Sequence, residues 1–163
     1  PALFADEPAW TARAEDLSAR TRELVSFLTG VCGRTRVDAA YPGVVTYHDS
    51  CSSLRDLGVR DQPRTLLATV EGLRIDELES PEICCGFGGA FCVKYAEVSV
   101  EMAARKARAV AASGAGTLLG GDLGCLLNIA GRLERDGAVV AVRHVAEVLA
   151  GETESPPIGE AGP

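Results

Sequence analysis

The chain has 163 residues, 47% of them hydrophobic and 24% charged, and its formal net charge is −7. This length suits one domain with a buried core, and the acidic balance argues against nucleic acid or an anionic membrane as the main partner. No apolar run approaches the roughly 18 residues of a membrane span, so we expect no membrane insertion.

The first half of the chain predicts two helices and two strands. Apolar side chains such as Trp10, Leu17 and Leu28 recur at helical spacing, so we expect them to form the buried face of the first helix. The predicted elements are a helix at 10–29, a strand at 44–47, a helix at 63–71 and a strand at 73–78.

The second half predicts a helix at 96–113, a strand at 116–121, a helix at 123–137, a strand at 138–143 and a helix at 144–151. The helix at 96–113 has a face of small apolar residues, which are Val100, Ala103, Ala104, Ala107, Val110 and Ala111. Strand and helix alternate about four times, which predicts an α/β fold with a parallel sheet of about four strands between helices. We expect one domain at 1–151 and a flexible tail at 152–163, since the tail is polar and rich in Pro and Gly.

Four of the six cysteines follow predicted strands: Cys51, Cys84, Cys85 and Cys125. In an open parallel sheet such loops lie together at the carboxyl edge, where ligands bind. The two histidines, His48 and His144, end the first and last predicted strands. Each histidine is either a structural residue or a group that surrounds a site formed by the cysteines.

The segment "EICCGFGGAF" contains two adjacent cysteines, Cys84 and Cys85. A role as small buried residues explains Cys32 well, but neighbours in an extended chain point in opposite directions. A disulfide between neighbours fits ordinary disulfide geometry badly. A shared metal centre explains the pair better, because Gly86, Gly88 and Gly89 permit a sharp turn that brings backbone N–H groups to the sulfurs. In a cytoplasmic protein, the location we expect, clustered cysteines indicate metal or redox chemistry.

The order of Cys51, Cys84-Cys85-Gly86 and Cys125 resembles the CCG cysteine-rich domain family. The flanks "VTYHDSC", "CCGFGGAF" and "GDLGCLLNIAGRLERDG" are similar to the lactate utilization protein A branch of that family, in which two such domains occur in tandem. The resemblance runs from about residue 1 to 151, and this chain resembles the second domain.

The resemblance implies an α/β domain that binds a [4Fe-4S]-type iron–sulfur cluster through Cys51, Cys84, Cys85 and Cys125. His48, Gly86, Gly88, Cys92 and His144 would surround it. The implied role is electron transfer during oxidation of L-lactate to pyruvate, beside a sister CCG domain and other subunits of the system. The domain itself is then not expected to be catalytic.

Zinc is the alternative, because some domains of this kind bind it and the same four thiolates would hold it as a structural and docking centre. Three positions depart from the family pattern: Ser52 replaces a histidine, Asn128 replaces a fifth thiol, and Cys92 replaces a small hydroxyl residue. Adjacent cysteines favour iron and a total of four thiols suits zinc, so both interpretations stay open. A thiol–disulfide oxidoreductase and a dinucleotide site are weaker interpretations, because the chain lacks C-x-x-C and G-x-G-x-x-G.

Overall fold

The computed structural model of the protein describes residues 2–160, so the ends of the predicted domain and tail, residues 1 and 161–163, lie outside the described residues. The described residues contain a four-stranded sheet in the order β2-β1-β3-β4, and every neighbouring pair is parallel. The strands are β1 (Ala40–His48), β2 (Glu71–Ile75), β3 (Thr117–Gly120) and β4 (Ala141–His144). The predicted α/β fold is confirmed.

Helices cover both faces of this sheet. They are α1 (Pro8–Arg20), α2 (Leu24–Ser26, continued by a wide helical turn at Phe27–Val31), α3 (Asp61–Leu67), α4 (Ala90–Lys94), α5 (Ala96–Ala112), α6 (Leu123–Arg135) and α7 (Val145–Ala150). A second wide helical turn, Ser52–Asp56, follows β1.

The core has two parts because successive strand residues point to opposite faces. Leu119 packs in a cluster with residues of α2, α3 and α7. Its neighbour Leu118 packs in a cluster with residues of α5 and α6, and this second cluster includes Cys85 and Cys125. The fold therefore places two of the predicted ligands at the border of a hydrophobic core.

The strand register brings three carboxyl ends to the same level. His48 of β1 pairs with Gly120 of β3, and Gly120 pairs with His144 of β4. The loops that leave these strands therefore begin side by side along one edge of the sheet.

The predicted single helix at 10–29 is wrong in two respects. The helix is interrupted at 21–23. Glu23 then caps the start of α2, because its carboxylate accepts a hydrogen bond from the Ser26 backbone N–H at 3.0 Å. Within the described part of the chain, no residue of α1 is buried, and Trp10 stacks on the nearby Phe4 ring instead of entering the core. The amphipathic pattern correctly indicates a helix but not its burial.

The helix α5 matches its predicted position, but its buried face matches the predicted small-residue face only in part. Ala103, Ala107 and Val110 are buried as expected, whereas Val100 is half exposed. Ser99 and Lys106 are buried in addition to the small apolar residues. A polar and a charged side chain thus take part in the contact between α5 and the rest of the domain.

Residues 152–160 run beside the edge strand β4. The Arg143 guanidinium donates to the carbonyl oxygens of Thr153 and Ser155 at 3.0 and 2.7 Å, and the Ile158 N–H donates to the Val142 carbonyl at 2.8 Å. These contacts hold the start of the segment for which the sequence predicts a flexible tail. Among the helices of residues 2–160, none has the length and apolar character that a bilayer crossing requires.

Candidate metal centre

Three buried side chains from separate parts of the chain meet at the carboxyl edge of the sheet. They are His48 at the end of β1, Cys85 in the loop before α4, and Cys125 in the first turn of α6. Their potential ligand atoms all lie within 4.8 Å of one another. Imidazole nitrogen and thiolate sulfur together are a ligand set for zinc, and thiolates are the usual ligands of iron–sulfur clusters.

His48 is 1% exposed, and its two ring nitrogens have no hydrogen-bond partner among the described residues. A buried polar atom without a partner costs about 1–3 kcal/mol. Although neither nitrogen forms a hydrogen bond, the imidazole is close enough to Cys85 to lower the pKa of that thiol. An imidazole of this kind, facing two sulfurs, fits a metal that uses one of its nitrogens.

Cys85 and Cys125 interact directly. Their sulfur atoms are 3.0 Å apart and share a hydrogen bond. This contact lowers the pKa of Cys85 to about 5 despite its burial. The same contact raises the pKa of Cys125, and burial raises it further. At neutral pH the pair therefore holds one shared proton and carries one negative charge. A metal ligand requires the thiolate form, so the pair is partly prepared for coordination.

The backbone after the paired cysteines turns sharply, as the glycines predict. The Gly86 N–H donates to the Cys84 sulfur at 3.5 Å, and the Phe87 N–H donates to the Cys85 sulfur at 3.4 Å. Gly86 has a φ of +84°, and a Cβ there would lie 2.6 Å from the carbonyl oxygen of Ser99 in α5. Only glycine satisfies both the left-handed conformation and this close approach. Helix α5 thus fixes the turn that presents the two sulfurs.

Asp122 connects two of the cysteine-bearing segments. One carboxylate oxygen accepts the Cys125 backbone N–H at 3.1 Å and so caps α6. The other oxygen accepts the Ser52 hydroxyl at 3.1 Å, next to Cys51. Asp122 was not among the residues predicted for the site, although an Asp three positions before Cys125 is a typical helix start.

Asn128 supports the backbone of the paired cysteines. Its side-chain amide donates to the carbonyl oxygen of Cys85 at 2.8 Å. In the sequence this position stands out only for the missing fifth thiol. In the structure the amide supports the backbone that carries two thiols.

Cys51 and Cys84 lie near the buried group without belonging to it. Cys51 is exposed at the start of the turn Ser52–Asp56, and Cys84 is half-buried. Burial raises the pKa of Cys84, and the thiols of Cys85 and Cys51 raise it further. The influence of Cys51 on the pKa of Cys84 indicates that the two loops bring these thiols near one another. Their role as metal ligands stays a prediction.

The remaining predicted residues have local contacts. The Cys92 thiol donates to the Gly89 carbonyl at 3.0 Å in the first turn of α4. His144 caps α7. Its ring Nδ1 accepts the Ala146 backbone N–H at 3.2 Å, and its backbone N–H donates to the Glu147 carboxylate at 2.7 Å. A Cβ at Gly88 would lie 2.9 Å from the Phe91 side chain, so this glycine also serves a tight turn.

A buried ion pair fixes the loop that follows His48. Asp49, with a side chain only 2% exposed, accepts hydrogen bonds from Arg64 at 3.0 and 2.9 Å, and Arg64 also pairs with Glu77 at 2.6 Å. These contacts raise the pKa of the Arg64 guanidinium, with the hydrogen bond to Glu77 as the largest cause. This network, which joins β1 to α3 beside the candidate centre, was not predicted from the sequence.

The part of the chain that carries the candidate centre matches a known family. The family described as cysteine-rich domain (CCG) matches residues 45–130, a segment that contains His48 and all four predicted thiol ligands. No solved structure matches the chain.

Curated relatives match nearly the whole chain. It is 46% identical over 149 residues to lactate utilization protein A of Bacillus cytotoxicus and to lactate utilization protein A 2 of Bacillus mycoides. It has the same identity to the uncharacterized protein YkgE of Escherichia coli K12. Each match covers 91% of this chain and 62% of the relative, so the chain spans about three fifths of their length. Since the family match extends over more than half of the chain and includes the cysteines described above, the chain belongs to the cysteine-rich (CCG) domain family.

Proposed function

We propose that this domain binds an iron–sulfur cluster of the [4Fe-4S] type through Cys51, Cys84, Cys85 and Cys125, and that it serves electron transfer. The observation that supports this proposal most is the buried group of His48, Cys85 and Cys125. In this group the pKa of Cys85 is lowered, and the two His48 nitrogens have no hydrogen-bond partner among the described residues. Cys51 and Cys84 lie in the loops that approach the same edge of the sheet.

The chain supplies several groups that suit such a centre. When bound, an iron–sulfur cluster supplies one-electron transfer, and hydrogen bonds to its sulfurs help to set the reduction potential. Backbone N–H groups of Gly86 and Phe87 already point at the sulfurs of Cys84 and Cys85. The aliphatic core under Cys85 and Cys125 limits access of water from the inside. Exposed Cys51 leaves one side of the centre open to solvent or to a partner.

The proposed source of the electrons is L-lactate, and the names of the relatives support it. Two of the relatives are called lactate utilization proteins, so we propose that the electrons come from oxidation of L-lactate to pyruvate. Other subunits of that system and a sister CCG domain are the proposed partners. Apolar side chains that are partly exposed around the start of α6, Phe87, Leu123 and Leu127, offer a contact surface close to the centre. We propose no catalytic residue for lactate itself.

Zinc is the second candidate, and His48 is the observation that favours it. An imidazole beside thiolates is a usual zinc ligand set, and zinc needs only four ligands. In that case the domain would be a structural and docking module without redox activity. The donors that His48, Cys85 and Cys125 offer fit either metal.

Spectroscopy on the full-length protein, purified without oxygen, distinguishes the two candidates. An iron–sulfur cluster predicts a broad visible absorption that bleaches on reduction and disappears in Cys85→Ala. Cys32 gives the matched control, because it lies outside the proposed ligand set and is exposed, not buried as the sequence indicated. Cys32→Ala should keep the spectrum. If the wild-type protein were colourless, with the same spectrum as Cys85→Ala and Cys32→Ala, the proposal would be contradicted. For the lactate role, Cys85→Ala should abolish growth on L-lactate but not on glucose, and equal growth on both would contradict it.

A further inference from the structure

Lys106 is a buried cation that the proposed ligand set does not use. It lies in α5, its side chain is fully buried, and it is the largest of the fully buried side chains in the described residues. A buried ammonium is costly unless it is hydrogen-bonded and near negative charge. The Lys106 ammonium therefore needs hydrogen-bond acceptors and negative charge nearby.

The partners are backbone oxygens just before the paired cysteines. The Lys106 Nζ donates to the carbonyl oxygen of Pro81 at 2.8 Å and to that of Ser80 at 3.3 Å. Nearer the start of α5, Ser99 donates to the Gly86 carbonyl at 2.8 Å. The segment 80–86 is thus bound to α5 at both ends, and Cys84 and Cys85 lie between the two attachments.

Two cysteines of the candidate centre and two carboxylates act on this ammonium as negative charges. Burial lowers the pKa of Lys106 to about 8, and the groups that oppose this are Cys85, Glu82, Asp49 and Cys125, in decreasing order. Ala107, the next residue, packs in the same cluster as Cys85 and Cys125. Four thiolates around a metal leave an excess of negative charge, which a nearby buried cation stabilises.

We propose that Lys106 is a positioning residue of the metal centre, which holds the loop of Cys84 and Cys85 and supplies the positive charge that balances the thiolates. The inference rests on the proposed metal site but not on whether the metal is iron or zinc. It predicts that charge at this position, beyond hydrogen bonding, supports metal binding.

Titration of the full-length, metal-free protein with Co²⁺ against a competing chelator tests the inference, because thiolate–cobalt absorption reports binding directly. Lys106→Met removes the charge and the donors, whereas Lys106→Gln keeps an amide donor without charge. Both should lose about 10- to 100-fold in Co²⁺ affinity, the range typical of groups that support metal ligands. Lys106→Arg should restore most of it. Arg105→Gln is the matched control, since Arg105 is exposed on the same helix and pairs only with Glu101 among the described residues.

Circular dichroism of each metal-free variant separates lost folding from lost binding, and Lys106→Gln decides the question if Lys106→Met does not fold. Wild-type affinity in Lys106→Gln would overturn the charge argument, as would equal losses in Lys106→Gln and Arg105→Gln. Failure of the metal site itself has a different signature: Co²⁺ binding would then be unchanged in Cys85→Ala, which would overturn both proposals. Binding that depends on Cys85 but not on Lys106 would overturn this inference alone.

Discussion

The sulfur atoms of Cys85 and Cys125 lie 3.0 Å apart and share a hydrogen bond. Their positions differ by forty in sequence, and Cys85 lies in a loop whereas Cys125 lies in the first turn of α6. Such proximity makes them one titrating unit with one shared proton rather than two independent thiols. The metal-free protein should therefore show a specific dependence of stability on pH.

We predict that this pair makes the stability of the metal-free protein rise with pH between about 5 and 9. The pKa of Cys85 is about 5 in the folded protein, against an ordinary value of 9.0. In this window the unfolded chain binds a proton at Cys85 that the folded protein lacks, so the free energy of unfolding rises by up to about 1.4 kcal/mol per pH unit. Below pH 5 both states bind the proton, and the contribution is lost.

Above pH 9 the sign reverses. The pKa of Cys125 is raised in the folded state, so the folded protein keeps a proton that the unfolded chain releases. Urea unfolding of reduced, metal-free protein, with Cys85→Ala as reference, measures the contribution as a difference between the two proteins. A difference that does not change between pH 5 and 9 would show that the two thiols are not coupled.

His48 should have opposite effects on the metal-free and the metal-bound protein. His48→Leu removes two buried nitrogens that have no partners among the described residues, so the metal-free protein should be equally stable or more stable, by about 1 kcal/mol. The same change should lower metal affinity by at least about tenfold if His48 binds or supports the metal. Thermal unfolding and chelator competition measure the two effects.

The other histidine is the matched control for this experiment. His144→Ala removes the cap of α7, which should cost about 1 kcal/mol of stability and leave metal affinity unchanged. If His48→Leu also destabilised the metal-free protein and left the affinity intact, His48 would be an ordinary structural residue.

Gly86→Ala should be markedly destabilising. At a φ of +84° a side chain is strained by about 1–2 kcal/mol, and the new methyl group would also lie 2.6 Å from the Ser99 carbonyl oxygen, adding about 1–3 kcal/mol. Gly89→Ala is the control, because Gly89 has a φ of +58° but a Cβ there would meet no described atom within 4 Å. Urea unfolding should show the larger loss for Gly86→Ala. Equal losses of stability in the two variants would mean that the close contact between α5 and the turn at Gly86 does not restrict that position.

The order of elements in the sequence was sufficient to predict the sheet and the edge at which the cysteines meet. Parallel strands align their carboxyl ends, so Cys85 and Cys125 could be expected together from topology alone. The side chains that hold them could not be predicted in the same way. Lys106 is buried because two carbonyl oxygens accept its hydrogen bonds, and no pattern in α5 reveals where those oxygens lie.

The helix α1 is a case in which the sequence predicts burial that the structure does not show. Its apolar spacing indicates which face would be covered, but not whether anything in the described part of the chain covers it. Asp122 was predictable from local sequence as a helix cap, yet its second bond to Ser52 depends on the fold. Contacts within one turn are therefore predictable from sequence, and contacts between loops are not.

The most direct test of the proposed electron-transfer function is the content of iron, acid-labile sulfide and zinc in the full-length protein purified without oxygen. We expect iron and sulfide in equal amounts, little zinc, and loss of iron and sulfide in Cys85→Ala and Cys125→Ala but not in Cys32→Ala. Zinc without sulfide, lost in the same two variants, would contradict the electron-transfer function and leave the metal centre as a structural zinc site.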